Sequence, residues 1–106
     1  MVNEPRRGEV WWGEMESVGR RPYLVLSRDA AIPVLTSLVC APVTTRVRSI
    51  PSELSFDRAD GMPRSCAATF DNLLPVPKRL LTERITRLGS ERMSELCEAL
   101  GVALDC

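Results

Sequence analysis

A chain of 106 residues with 14 basic and 14 acidic side chains, formally neutral, has room for one domain (1–106) and one core. Its apolar stretches last only a few residues, as at Tyr23–Leu26, far short of the roughly 20 that cross a bilayer, and the opening MVNEPRRGEV has no apolar signal core, so a soluble, cytoplasmic protein without a membrane partner is expected. Four cysteines with no CxxC pair, in a chain without histidine, argue against a zinc site, and no cofactor is expected.

The chain opens on a predicted strand, Gly8–Gly13 (GEVWWG), rich in β-branched and aromatic residues, and a second follows at Pro22–Ser27 (PYLVLS). Leu38–Thr45 (LVCAPVTT) makes a third, in which Pro42 argues for an edge or a bulge. Ser52–Phe56 and Ser65–Phe70 (SCAATF) are the fourth and fifth, separated by the turn-rich DRADGMP, and Leu81–Leu88 is the last. The period then changes: Met93, Leu96, Cys97, Leu100 and Leu104 recur at helical spacing, opposite Glu91, Arg92, Glu95 and Glu98, with Ser90 as the expected N-cap. Short strands wrapped on themselves with a helix over the open side describe an α+β, mainly β fold, a small bent barrel. Cys40 and Cys97 are expected as reduced core residues and Cys106 as an exposed thiol, while Trp11, Trp12 and Phe70 are expected in the core or at a dimer contact.

Taken singly, the polar features are ordinary: Arg20-Arg21-Pro22 reads as a solvated loop and Thr44-Thr45 as the end of a strand. Their order and spacing carry more. From Arg7 to about Leu104 the chain resembles the MazF/PemK toxin family through Arg7-Gly8-Glu9-Val10-Trp11, then Gly19-Arg20-Arg21-Pro22-Tyr23-Leu24-Val25-Leu26, then Ala41-Pro42-Val43-Thr44-Thr45, then Asp71-Asn72-Leu73, and finally the run Leu80 to Leu88.

The resemblance implies a small SH3-like barrel of the CcdB/PemK-like toxin fold with a C-terminal α-helix, assembled as a homodimer. It also implies a toxin of a type II toxin–antitoxin system: a metal-independent endoribonuclease that cuts single-stranded RNA by 2′-hydroxyl attack, leaving 2′,3′-cyclic phosphate and 5′-hydroxyl ends. The family's catalytic Arg and Thr fall on Arg21 and Thr44, and Glu16 matches a glutamate found in some members. A guanidinium meets two phosphoryl oxygens as negative charge builds, and a threonine hydroxyl holds a third or orients the nucleophile. The general base stays open, because histidine is absent and arginine remains protonated. Where many members carry Gly-Ser in a longer first loop, this chain has Glu14-Met15 and a short loop.

RNA binding asks for basic groups around the cut. Arg20, Thr45, Arg46 and Arg48 flank the proposed centre in sequence, and Lys78-Arg79 follows a PVP turn; such contacts position a strand without choosing its sequence. Asp71 and Asn72 are placed to read exposed base edges. From Glu91 onward one Arg faces three Glu and one Asp, a charge of −3, which leaves residues 1–90 at +3. That basic body, with the resemblance, predicts a cognate antitoxin whose acidic segment blocks the groove. The competing reading is a non-enzymatic CcdB-like toxin or a binding module on the same barrel.

Overall fold

The computed structural model describes residues 4–106. Seven strands, β1 (Glu9–Met15), β2 (Gly19–Val25), β3 (Ser37–Thr44), β4 (Glu53–Phe56), β5 (Cys66–Thr69), β6 (Leu74–Pro77) and β7 (Leu81–Arg87), precede a single helix, α1 (Ser90–Leu104). All pairings are antiparallel, in the order β4-β5-β3-β2-β1-β7, with β6 attached to β3. Register shifts in the β1–β7 ladder, between Val10 and Trp11 and between Trp12 and Gly13, bend this edge and curl the sheet toward a barrel.

Alternation along the strands builds two cores. One, with Val10, Leu24, Val43, Leu54, Ala68 and Phe70, lies under α1, which contributes Leu96 and Ala99; the other, with Trp11, Tyr23, Val25, Cys40 and Val76, fills the opposite side. Glu9 of the opening motif belongs to this framework. Its buried carboxylate accepts from Arg6 N at 2.8 Å and Trp11 Nε1 at 2.9 Å and pairs with Arg84 at 3.2 Å, so it locks β1 to β7 rather than serving a site.

Five expectations need correction. β2 starts at Gly19 rather than Pro22, so Arg20 and Arg21 stand on a strand and not in a loop. β6 was hidden by Pro75 and Pro77, which a strand with β3 as its one partner tolerates. The N-cap of α1 is Gly89, not Ser90. Cys97 is exposed, because the buried stripe of α1 runs through Met93, Leu96, Ala99, Leu100 and Ala103 and leaves Cys97 at its margin. Pro42, expected at an edge or bulge, lies in a strand paired on both sides. It falls where the outer partner of β3 changes from β6, which ends opposite Cys40, to β5, which begins opposite Val43, so no rung needs its missing N–H.

Two details set up the functional face. The β1–β2 hairpin closes through Glu16-Ser17-Val18 onto Gly19 at φ 78°, the left-handed position that a three-residue loop needs. On the opposite bank, the turn after β4 is held by an Asp57 capping box, by Thr86 Oγ1 donating to Asp60 O at 2.6 Å, and by Arg92, which pairs with Asp60 at 3.2 Å and donates to Ser55 O.

Candidate active site

The β2–β3 ladder runs Val25↔Cys40, Leu24↔Ala41, Tyr23↔Pro42 and then stops. Carrying that register two steps further brings Arg21 level with Thr44. Beyond the last rung the two strands part, and β3 pairs instead with β5 through Val43↔Ala68 and Thr44↔Ala67. The gap becomes a groove of about 440 Å³ lined by Arg21, Thr44, Trp12 and Pro22 on one side and by Met62, Pro63, Arg64 and Cys66 on the other.

Both central side chains are steered by their own backbone. Arg21 Nε donates to Val18 O at 3.3 Å, while its terminal nitrogens bond to nothing among the described residues and remain available as a fork. Thr44 Oγ1 accepts from Arg46 N at 3.1 Å, a hydroxyl turn that closes the strand and leaves the O–H free to donate. Arg21 is exposed and Thr44 half-buried, so both side chains are open to solvent.

A second depression of about 470 Å³ continues from Thr44 along the outer face of β3, β5 and β4, lined by Pro42, Thr45, Arg46, Arg48, Glu53, Thr69 and Asn72. Together the two hollows carry four arginines, Arg21, Arg46, Arg48 and Arg64, against one carboxylate, Glu53. Such an imbalance attracts a polyanion. Among the described residues no group of three or more His, Cys, Asp or Glu side chains is arranged to hold a metal.

The structure thus brings together Arg21, Thr44, Thr45, Arg46, Arg48 and Asn72. It sets the others apart. Glu16 is exposed in the hairpin loop and lines neither hollow. Arg20 stacks on Trp12, 4.8 Å from the ring centroid, and pairs with Glu83 at 2.9 Å. Asp71 accepts from Ser52 Oγ at 2.6 Å. Lys78 braces the fold by donating to Ile32 O at 2.8 Å and Glu4 at 3.1 Å, and Arg79 lines a separate depression beside β7. Sequence reasoning missed Arg64, Met62, Glu53 and Thr69. Trp12 was placed in a core or dimer contact, yet it is half-buried on the groove wall.

Three groups titrate away from their ordinary values, of which Cys66 lines the groove. Burial pushes the Cys40 thiol up to about 12 and raises Cys66, with the Asp60 charge adding to the latter. Burial also raises the Tyr23 hydroxyl, offset in part by the Arg21 charge.

A sequence profile of the PemK-like, MazF-like toxins of type II toxin–antitoxin systems matches residues 6–104. The chain belongs to this family. It is 48% identical over 107 residues to Probable endoribonuclease MazF5 of Mycobacterium tuberculosis (strain ATCC 25618 / H37Rv), a match spanning 100% of this chain and 98% of that one. Among solved structures it is similar to Mycobacterium tuberculosis toxin MazF-mt6, with a TM-score of 0.83, 30% identity and coverage of 92% and 96% of the two chains. A mycobacterial endoribonuclease solved in complex with its cognate antitoxin superimposes with a TM-score of 0.85, 25% identity and 95% coverage of each chain. The barrel and the C-terminal helix expected from the resemblance are thereby borne out.

Proposed function

We propose that this toxin is an endoribonuclease that cuts single-stranded RNA at a phosphate bound between Arg21 and Thr44. The observation that carries the reading is the shared groove: the register of β2 and β3 brings an unpaired guanidinium fork level with a hydroxyl whose lone pair is already occupied. As the ribose 2′-oxygen attacks, charge accumulates on the non-bridging oxygens of the phosphate. Arg21 meets two of them and Thr44 donates to one, so both contacts strengthen toward the transition state. The products are a 2′,3′-cyclic phosphate and a 5′-hydroxyl, and no step requires a metal. Glu16, exposed on the loop that carries Val18 and outside both hollows, is not placed to take the nucleophile's proton directly; that proton leaves through water, and the departing 5′-oxygen is protonated by water. Arg46, Arg48 and Arg64 bind flanking phosphates, and Trp12 with Pro22 offers an apolar wall to a base or ribose.

The toxin acts in the cytoplasm as a homodimer. Val39 and Leu104 are about half exposed and line an apolar hollow with Leu26, Leu35, Leu73 and Leu100, a face that a second copy would cover. Its restraint comes from a cognate antitoxin, as in the mycobacterial complex, with an acidic segment laid along the four arginines. No described helix is long and apolar enough to cross a membrane.

The test is incubation of purified toxin with single-stranded RNA in excess EDTA, followed by mapping of the ends. Cleavage that yields 5′-hydroxyl and cyclic-phosphate ends supports the reading. Growth arrest on expression with no new RNA ends would replace it with a toxin of the non-enzymatic kind.

A further inference from the structure

Along β4 and β5 the side chains alternate between the core and a solvent-facing surface. Leu54 and Ala68 point into the core, so their neighbours Glu53 and Thr69, cross-strand partners of one another, share the outer face with Ala67 and Thr44, also paired. The 470 Å³ hollow beside Thr44 opens over this face, with Pro42, Glu53 and Thr69 in its lining.

Two polar groups in that hollow are left wanting. Glu53 is only 9% exposed, and the bond its carboxylate makes is acceptance by Oε1 from Arg48 N at 3.0 Å; no ion pair reaches it among the described residues. Thr69 is 7% exposed and its hydroxyl has no partner. A buried hydroxyl without a partner, beside a buried carboxylate that has one backbone donor and no counter-charge, is costly, and native proteins keep such groups where a ligand completes them. The carboxylate repels phosphate, so the occupant presents neutral N–H donors.

We propose that Glu53 and Thr69 form a base-reading subsite beside Thr44 that selects guanine next to the scissile phosphate. This rests on the RNA-cleavage reading and extends it to sequence choice. Single-stranded RNA displays its pairing edges, and guanine is the base whose edge offers two adjacent donors, N1–H and N2–H, to a carboxylate, with O6 beside them to accept from a hydroxyl. Cytosine and adenine offer one amino group next to an acceptor. Uracil places carbonyls on both sides of its one donor, facing the negative oxygens. The Asn72 amide and the Arg46 and Arg48 guanidinia at the rim hold the adjoining backbone.

The experiment compares wild type, Glu53→Gln and Thr69→Val on short single-stranded RNAs with one randomised position at a time, reading relative kcat/KM for each base. In parallel, binding of 5′-GMP and 5′-UMP to the cleavage-deficient Arg21→Ala variant, with and without the two changes, is followed by NMR. The wild type is expected to favour guanine over uracil by about tenfold or more at one position flanking the cut, the size of one well-formed bidentate base contact. Glu53→Gln should erase most of that ratio and weaken 5′-GMP binding, Thr69→Val should lower both by a few fold, and preferences elsewhere should persist. A guanine-to-uracil ratio unchanged in both variants overturns the proposal, as does a hollow in which 5′-GMP shifts no more than 5′-UMP. If Glu53→Gln fails to fold, Thr69→Val and the 5′-GMP shifts decide. Binding of 5′-GMP here in the Arg21→Ala variant, with a wild type that cuts no RNA, sinks the nuclease reading and leaves the subsite standing.

Discussion

Replacing Arg21 with alanine should abolish most cleavage without unfolding the protein. The side chain is exposed and its one bond is the 3.3 Å contact from Nε to Val18 O, so stability should move by no more than about 0.5 kcal/mol. In the proposed reaction the same side chain supplies two donors and a full charge to the phosphoryl oxygens. Loss of one preorganised donor of this kind costs about 10²–10³ in rate, so loss of the fork should reach about 10³. Arg21→Lys keeps the charge but not the planar pair of donors, and should recover about tenfold of that loss. Thr44→Val removes one hydroxyl at nearly constant shape. A hydrogen bond to a charged group contributes about 1.5–3 kcal/mol, which predicts a loss of roughly 10- to 100-fold. Since both groups act on one phosphate, the double variant should lose less than the product of the single effects. The assay is single-turnover cleavage of a short RNA at saturating enzyme, with thermal melts as the control. An Arg21→Ala variant that melts normally and cuts within threefold of wild type would refute the assignment.

RNA affinity should fall with salt with a log–log slope of about −3, from four arginines at about −0.7 each for single strands; Arg64→Ala should make it shallower by about 0.7 without changing which bases are cut, and an unchanged slope would remove Arg64 from the groove. Alkaline stability follows from Cys40, whose thiol titrates near 12 in the fold against 9.0 for an exposed one. Because the folded value is raised, stability is intact below pH 9 and is lost between pH 9 and about 12. At pH 10 the unfolded chain gains about 1.4 kcal/mol from this group alone, and Cys66 and Tyr23, also raised, act in the same direction. Denaturant melts at pH 8 and 10 should show that loss, reduced in Cys40→Ala. Gly13→Ala would set a Cβ 2.7 Å from the Tyr23 ring, which is 2% exposed and has no room to move. Overpacking of about 1–3 kcal/mol, less about 0.5 for the stiffer unfolded chain, should lower Tm by roughly 5–15 °C, read by calorimetry.

Much of the scaffold was legible because alternation and helical period are local signals. β1, β3, β4, β5 and β7 lie within a residue or two of the segments their composition marks, and α1 follows its apolar stripe. β6 was not legible, since two prolines in four residues contradict a strand unless its free edge is known in advance. Arg21 and Thr44, singled out through the order of short motifs, line one groove. The surroundings of that pair were not legible. Arg64 and Met62 sit in a turn without periodicity, and Glu53 and Thr69 look like ordinary strand residues until β4, β5 and β3 are laid side by side in that order. Conversely Lys78 and Arg79, basic and adjacent in sequence, point to different tasks because a 3-10 turn (Lys78–Leu80) separates them in space.

The site exists because a ladder is interrupted: the β2–β3 pairing ends at Tyr23↔Pro42, and the next rung would need an N–H that Pro22 lacks. On its other edge β3 changes there from β6 to β5. Had β2 and β3 stayed paired to their ends, Arg21 and Thr44 would spend their positions inside a closed sheet. Their separation opens the groove while the last rung, Tyr23↔Pro42, still fixes how far apart they stand. Each is then aimed by a bond to its own neighbouring backbone, Val18 O for Arg21 and Arg46 N for Thr44, so little reorganisation remains for the moment of reaction. This arrangement makes the barrel's stability and its chemistry separable: side-chain changes at Arg21 or Thr44 act on rate, whereas changes at the rung and at the Gly13 contact beneath it act on both.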